Sequence, residues 1–187
     1  MVSRTLIRTL ITGGARSGKS AHAEKLAAAT GKEVVYVATA QAGDVEMQAR
    51  IAQHRQQRNT TWHTIEEPLA LGAMIRHWSA PDRVVLVDCL TVWLSNGLFS
   101  QAQDFPDIGV IDAPALFLQE REQLFAALDA AAGDVILVSN EVGLGIIPQG
   151  AVSRWFVDEA GRLNQAVAAR CEQVMLVVAG LPLRLKG

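Results

Sequence analysis

The sequence lacks the excess of positive charge that nucleic-acid binding requires. Its 17 Lys and Arg residues are outnumbered by 19 Asp and Glu residues, which leaves a formal net charge of -2. A protein that binds the phosphate backbone of a nucleic acid usually carries a basic excess. We therefore expect no nucleic acid among its main partners.

Long hydrophobic runs are also missing, although 50% of the residues are apolar. The longest apolar stretches, such as residues 174–179, have the length of a strand. They fall far short of the roughly 20 residues that a membrane-spanning helix needs. The amino-terminal stretch passes directly into glycines, without the long apolar core of a signal peptide. We expect a cytoplasmic protein without a membrane span.

Cysteine is scarce as well. Cys89 and Cys171 lie far apart in the sequence and in apolar surroundings. This usage favours reduced, buried thiols over a disulfide or a zinc site. We assign neither cysteine a chemical role.

What the sequence does contain is a regular alternation of β-rich apolar runs with helix-like stretches, typical of βαβ units. The runs are apolar on both faces, as expected when helices cover both sides of a parallel sheet. The predicted strands are residues 6–12, 34–38, 84–88, 135–139 and 174–179. The predicted helices are residues 18–31, 44–58, 69–78, 113–131 and 151–170. Residues 99–114 contain Gln, Asp, Gly and two prolines, which predict a loop.

This pattern predicts an α/β protein, built as a three-layer sandwich around a mostly parallel central sheet. The sequence contains no internal repeat and no low-complexity tract, and no shift of composition marks a linker. We therefore expect residues 1–187 to form one domain. The first helix should end at Gly31, because glycine readily adopts the left-handed conformation that closes many helices.

The strongest motif is a glycine-rich segment that satisfies G-x-x-x-x-G-K-[ST] between a predicted strand and a predicted helix. Its residues are Gly13, Gly14, Ala15, Arg16, Ser17, Gly18, Lys19 and Ser20. Backbone N–H groups of such a loop can surround nucleotide phosphates, and the helix N-terminus adds a favourable dipole. Lys19 would neutralise the β- and γ-phosphates, and the Ser20 hydroxyl would coordinate Mg²⁺. The motif predicts nucleotide binding, and the alternative is a glycine-rich turn with an incidental lysine. Together with the predicted three-layer α/β sandwich, it gives the expected fold class of a P-loop NTPase of the RecA-like type.

A second motif, which ends in an acidic residue, occupies residues 84–88, where four apolar residues precede Asp88. This pattern resembles a Walker B strand, whose carboxylate holds Mg²⁺ directly or through water. Ligands of open parallel sheets gather at the carboxyl ends of the strands, where Asp88 would lie. The alternative is an N-cap, since Thr91 and Leu94 indicate a following helix.

A histidine lies among cations in the second predicted helix. Met47, Ile51, His54 and Arg58 follow one helical stripe, so His54 shares a face with apolar residues. An imidazole there could act as a nucleophile, and the ordinary alternative is a structural histidine. No histidine has a spacing with cysteines or carboxylates that indicates a metal site.

The segment 139–148 follows the fourth predicted strand and should lie at the same sheet edge as the glycine-rich loop. Glu141 could orient or deprotonate an acceptor hydroxyl. Gly143 and Gly145 would permit the close approach of a bulky ligand. The alternative is a strand-to-helix loop whose glycines serve only the turn.

Further motifs accompany the P-loop along nearly the whole chain. They are Tyr36-Val37-Ala38-Thr39-Ala40, Arg50-Ile51 with His54-Arg55, Trp62-x-Thr64-x-Glu66, Asp88-Cys89-Leu90-Thr91 with Asn96, Asn140-Glu141-Val142-Gly143-x-Gly145-x-x-Pro148, and Ala160-Gly161-Arg162-x-Asn164-Gln165. In residues and in order, this series resembles the family of bifunctional adenosylcobinamide kinase/adenosylcobinamide-phosphate guanylyltransferases.

The resemblance implies a cytoplasmic enzyme of cobalamin nucleotide-loop assembly that runs two reactions on one corrinoid. In the first, ATP or GTP phosphorylates a hydroxyl of adenosylcobinamide, with Lys19, Ser20 and Mg²⁺ stabilising the transferred phosphoryl group. In the second, a histidine attacks the α-phosphate of GTP, releases pyrophosphate and passes GMP to the corrinoid phosphate. The matching residue in this chain is His54, and Glu141 and Asp88 are the candidate bases of the kinase step.

The resemblance also implies a set of nucleotide contacts beyond the P-loop. They are Ala38, Thr39, Ala40, Arg55, Gln56, Gln57, Arg58, Glu66 and Asp88, with Ser20 and Asp88 as the magnesium ligands. Some relatives have a second histidine where this chain has Gln53, and some have Glu where it has Asp88. The family also forms homo-oligomers, so we expect an oligomer, with a trimer as one option.

Two other functions stay open at this point. A P-loop kinase for another small molecule would leave His54 as a surface residue and form no guanylylated intermediate. A GTP-dependent switch would use residues 140–148 as a partner loop and would hydrolyse GTP slowly without an acceptor.

Overall fold

The computed structural model describes residues 6–41, 59–100 and 105–187. In these ranges the strands are β1 (Arg8–Gly13), β2 (Glu33–Ala38), β3 (His63–Glu66), β4 (Arg83–Asp88), β5 (Asp134–Asn140), β6 (Gln173–Val178) and β7 (Leu181–Lys186). The helices are α1 (Lys19–Ala29), α2 (Leu71–Trp78), α3 (Leu90–Leu98), α4 (Ala115–Asp129) and α5 (Ala151–Arg170). None of these described helices is both long enough and apolar enough to cross a membrane.

The strands form one seven-stranded sheet in the order β3-β2-β4-β5-β1-β6-β7. Neighbouring strands run parallel, apart from β6 and β7, which form an antiparallel hairpin. Strand β1 lies between β5 and β6, so its backbone is paired on both sides. The order also places β5 between β1, which leads into the glycine-rich loop, and β4, which ends at Asp88. The expected α/β class with a mostly parallel sheet is confirmed.

Helices cover both faces of the sheet and divide the core in two. On one face, Leu10 of β1 and Leu137 of β5 pack with apolar residues of α2, α3, α4 and α5. On the other face, Ile11 and Ile136 pack with Ala23 of α1. Adjacent residues of a strand point to opposite faces, so β1 and β5 serve both halves of the core. The three-layer architecture predicted from the sequence is therefore confirmed.

The predicted strands, and the predicted helices that fall on described residues, agree with the observed ones to within two residues at each end. Helix α1 ends before Gly31, whose φ of 68° is the left-handed conformation expected there. Residues 105–114, the described part of the predicted loop, contain no helix or strand. The predicted helix at residues 44–58 lies outside the described ranges.

Strands β3 and β7 were missing from the sequence-based prediction, and helix α3 was indicated only by the alternative interpretation of Asp88 as an N-cap. Strand β3 has only four residues, three of them exposed, so it lacks the apolar run that marks the other parallel strands. Strand β7 carries a proline and two cations, which a strand at the edge of a sheet tolerates. Helix α3 contains Thr, Val, Trp, Ser, Asn and Gly, all of modest or poor helix propensity, and burial against the sheet compensates for this.

Helices α2 and α4 approach each other at Gly72. A Cβ atom at this position would lie 2.5 Å from the backbone carbonyl of Gln123 on α4. Such a contact with backbone atoms cannot be relieved by rotation of a side chain. The helix packing therefore depends on the absence of a side chain at Gly72.

We expect Gly72→Ala to lower the free energy of unfolding by about 1–3 kcal/mol, because α2 and α4 must move apart. Gly161→Ala on α5 is the matched control, since a Cβ at Gly161 would meet nothing within 4 Å. That control should raise stability by up to about 1 kcal/mol through helix propensity. Urea unfolding of both variants checks the pair, and equal effects would contradict the close contact at Gly72.

Candidate functional site

Parallel pairing brings the carboxyl ends of strands β1 to β5 to one edge of the sheet. Gly13 at the end of β1 pairs with Asn140 at the end of β5. Ala38 of β2 pairs with Asp88 of β4 on one side and with Glu66 of β3 on the other. These predicted site residues therefore share the edge at which parallel sheets bind ligands.

The glycine-rich loop runs from the end of β1 into the first turn of α1. The Ser17 N–H donates to the Gly14 carbonyl at 3.2 Å, which closes a tight turn. Gly18 precedes the helix with a φ of 93°, a conformation that glycine adopts without strain. A Cβ at Gly13 would lie 2.4 Å from the Val177 carbonyl oxygen. Glycine is thus favoured at Gly13 by close packing and at Gly18 by the backbone conformation.

Lys19 is held against the loop instead of projecting into solvent. The residue is 8% exposed, and its Nζ donates to the Gly14 carbonyl oxygen at 3.1 Å. Burial lowers the pKa of Lys19 because the ammonium loses hydration, while Cys89 and Asp88 act in the opposite direction. A buried cation fixed at a helix N-terminus is well suited to attract a phosphate group.

The buried hydroxyl of Ser17 also indicates that an anion or a water molecule binds within the loop. Its Oγ is buried and has no hydrogen-bond partner in the described part of the chain. Buried hydroxyl groups in folded proteins usually have such a partner. A phosphate oxygen or an ordered water within the loop would supply it.

Asp88 is directed toward the neighbouring strand. Its carboxylate accepts a hydrogen bond from the Tyr36 hydroxyl of β2 at 2.9 Å. Helix α3 begins at Leu90, its N-cap residue is Cys89, and the Cys89 side chain makes no capping hydrogen bond. The alternative prediction that Asp88 caps this helix is therefore wrong. The tyrosine holds the carboxylate at the sheet edge, one residue before the capping position.

The oxygen donors of Ser20 and Asp88 are of the type that Mg²⁺ prefers. Among the residues that the structure describes, no three or more His, Cys, Asp or Glu side chains form a metal-binding group. Magnesium commonly uses one or two protein ligands and takes the others from water and substrate phosphates. The donor set therefore fits a magnesium ion that is bound together with a nucleotide.

Thr39 joins the end of β2 to the segment after β4. The residue is fully buried. Its hydroxyl donates to the Cys89 carbonyl at 2.9 Å and accepts from the Cys89 N–H at 2.8 Å. Thr39 therefore bridges the two strand ends. The nucleotide contacts predicted at Ala38, Thr39 and Ala40 stay predictions, and Ala40 is the partly exposed residue of the three.

Both cysteines are free and buried, as predicted. Burial raises the pKa of the Cys89 thiol to about 11 and that of Cys171 to about 12. Both thiols are therefore protonated at neutral pH and are poor nucleophiles. Cys89 lies beside the candidate site, but its role there is to pack and to bind Thr39 through its backbone.

Glu141 is anchored beside the glycine-rich loop. Its N–H donates to the Gly13 carbonyl at 2.9 Å. Its Oε1 accepts a hydrogen bond from the Gly143 N–H at 2.7 Å, so the side chain organises its own loop. The carboxylate is nevertheless placed at the sheet edge, and its role in proton transfer stays a prediction.

The remaining predicted site residues are Glu66 and the segment 54–58. Glu66 ends β3 and is exposed. The predicted nucleophile and the basic segment after it, namely His54, Arg55, Gln56, Gln57 and Arg58, lie outside the described residues. Their roles therefore stay predictions.

Sequence reasoning assigned no role to Tyr36, Asn96 or Gly180, which all contribute to this edge. Asn96 Nδ2 donates to the carbonyl oxygens of Thr39 and Pro68, at 2.8 and 3.1 Å. An Ala-Gly pair between two apolar runs is a weak hairpin signal that could have drawn attention to Gly180. No sequence signal pairs Tyr36 or Asn96 with partners that lie far away along the chain.

This arrangement of loop, buried lysine and strand-end carboxylate in a three-layer α/β fold defines a P-loop nucleotide-binding protein. The chain belongs to the cobinamide kinase/cobinamide phosphate guanyltransferase family, whose model matches residues 9–185. It is 54% identical over 181 residues to the bifunctional adenosylcobalamin biosynthesis protein CobP of Pseudomonas aeruginosa, covering 97% of this chain and 98% of that protein. It is 43% identical over 179 residues to the bifunctional CobU of Escherichia coli, covering 95% and 98%.

Solved structures of distant proteins share the fold. An ATPase from a type III secretion system of pathogenic bacteria aligns with a TM-score of 0.52 at 11% identity, covering 95% of this chain and 56% of that one. A protein from Pyrococcus horikoshii, PH0250, aligns with a TM-score of 0.53 at 7% identity, covering 97% and 86%. At such identities the likeness establishes the architecture alone.

We expect Thr39→Val to lower the free energy of unfolding by about 1–3 kcal/mol, because the Cys89 N–H and carbonyl lose their shared partner. Thr39→Ser keeps the hydroxyl and should cost clearly less, which separates the hydrogen bonds from the methyl group. Chemical denaturation of the two variants measures the difference. Equal losses would mean that packing, and not the bridge, sets the cost.

Proposed function

We propose that this chain phosphorylates adenosylcobinamide with ATP or GTP and then transfers GMP from GTP to the product, releasing pyrophosphate. The observation that carries the proposal is the family match over residues 9–185. The proposal includes a cytoplasmic location, a homo-oligomeric state and a single catalytic domain. It also includes Mg²⁺ as the cofactor that accompanies the nucleotide.

In the kinase step, the glycine-rich loop would surround the phosphates of the donor nucleotide. Lys19 would neutralise charge on the transferred group, and Ser20 and Asp88 would hold the magnesium ion. The buried position of Lys19 supports this role, because a cation that is already desolvated and oriented needs little reorganisation when the phosphoryl group moves. Glu141 and Asp88 are the candidate bases for the acceptor hydroxyl.

In the guanylyl step, His54 would attack the α-phosphate of GTP. A bond forms between an imidazole nitrogen and phosphorus, the bond to the β-phosphate oxygen breaks, and the ring proton is lost to solvent. The corrinoid phosphate would then displace the imidazole and take the GMP group. Nucleotide contacts at Ala38, Thr39, Ala40 and Glu66, together with those at residues 55–58, complete the proposed site.

The kinase assignment predicts that Lys19→Ala lowers kcat for phosphorylation of cobinamide by about 10²–10³-fold, because charge on the transferred phosphoryl group loses its stabilisation. Lys25→Ala is the control, since Lys25 is an exposed cation on the same helix. Its rate should stay within about twofold of the parent. Phosphate transfer from labelled ATP to cobinamide measures both. Full activity of the Lys19 variant would contradict the assignment.

The guanylyl assignment predicts that the parent chain gains one GMP moiety after incubation with GTP and Mg²⁺, as seen by intact mass spectrometry. His54→Ala should gain none, while His77→Ala, which removes an exposed histidine of α2, should gain it like the parent. The adduct should be labile in acid and stable in alkali, as expected of a phosphoramidate. An unmodified parent would favour a kinase-only enzyme, and slow GTP hydrolysis without an acceptor would favour a switch.

A further inference from the structure

The turn between β6 and β7 contacts the glycine-rich loop directly. The strands remain paired up to Val178 and Leu181, so Ala179 and Gly180 form a two-residue turn. Their φ angles are 52° and 79°, as required by the tight type I′ hairpin turn. The Gly180 N–H donates to the Ser17 carbonyl oxygen at 2.8 Å. The hairpin is thus hydrogen-bonded to the nucleotide loop.

Two glycines of the P-loop motif also pack against this hairpin. A Cβ at Gly18 would lie 3.2 Å from the Gly180 Cα, and one at Gly13 would lie 2.4 Å from the Val177 carbonyl oxygen. Both contacts are with backbone atoms, which cannot move aside as a flexible side chain can. The glycine-rich loop and the hairpin therefore fit each other along their main chains.

The hydrogen bond from Gly180 also determines which way a loop peptide faces. The peptide bond between Ser17 and Gly18 is trans, so its carbonyl oxygen and its N–H point in opposite directions. Because the carbonyl points to the hairpin, the Gly18 N–H points away from it. Phosphate-binding loops depend on successive N–H groups that face the anion in this manner.

We propose that the turn formed by Ala179 and Gly180 is a positioning element of the nucleotide site. By holding the Ser17 carbonyl, Gly180 orients the Gly18 N–H toward the nucleotide phosphates. This inference rests on the proposed function, since it concerns the nucleotide that the P-loop binds. Gly180 is a positioning residue, because it acts on the phosphates through the peptide of residues 17 and 18.

Gly180→Ala tests the inference with little steric disturbance, because a Cβ at Gly180 would meet nothing within 4 Å. Its cost comes from the φ of 79°, which alanine adopts poorly. When the turn relaxes, the Ser17 carbonyl loses its donor. We expect the dissociation constant for GTP with Mg²⁺ to rise about five- to tenfold. The KM for the nucleotide in the kinase assay should rise by the same factor, with kcat within about twofold of the parent.

Gly31→Ala is the matched control. Gly31 also has a positive φ, 68°, and an open Cβ position, but it lies beyond the far end of α1. Its loss of thermal stability should equal that of Gly180→Ala, whereas its affinity for GTP should equal that of the parent. Gly180→Asn should restore part of the affinity, because asparagine tolerates positive φ better than alanine.

The outcomes separate the inference from the proposal on which it rests. If Gly180→Ala and Gly31→Ala lose the same stability and both keep the parent affinity, the hairpin is a structural element only and the inference is overturned. If the parent binds no nucleotide, both the inference and the proposed function are overturned. If Gly180→Ala does not fold, Gly180→Asn decides the matter through the same affinity measurement.

Discussion

Close backbone packing around the carboxyl end of β1 is the constraint on which the rest of the site depends. Strand β1 is paired on both sides, and at Gly13 its main chain approaches the Val177 carbonyl too closely for any side chain. The chain therefore leaves the sheet at a fixed point and in a fixed direction. The loop that follows, the first turn of α1 and Lys19 all take their positions from that point.

The same edge concentrates polar groups that the core would otherwise exclude. Lys19 is buried with a lowered pKa, and the Ser17 hydroxyl is buried without a partner in the described residues. Both features cost stability in the absence of a ligand. They are reasonable where a ligand carries negative charge and hydrogen-bond acceptors, and a phosphate carries both. The apolar contacts on the two sheet faces compensate for this loss of stability.

The fold alone does not specify the chemistry, because proteins only 7% and 11% identical to this chain share its architecture. The side chains of the candidate site lie at the strand ends. Asp88 is held by Tyr36, Thr39 is tied to Cys89, and Glu141 begins the loop that leaves β5.

The sequence by itself determined the fold class, most element boundaries and the glycine-rich loop. These features follow from local signals: apolar runs of strand length, helical periodicity, and glycines followed by lysine at a fixed spacing. It also indicated Asp88 as a strand-end carboxylate, although it left open whether that residue capped a helix. Only the tertiary structure decided that question, through the Tyr36 hydroxyl on a neighbouring strand. It alone brought the hairpin at Gly180 against Ser17, because that contact joins residues far apart in the chain. Exposed or edge elements such as β3 and β7 escaped prediction for a related reason, since pairing with a neighbour, and not an apolar run, makes them strands.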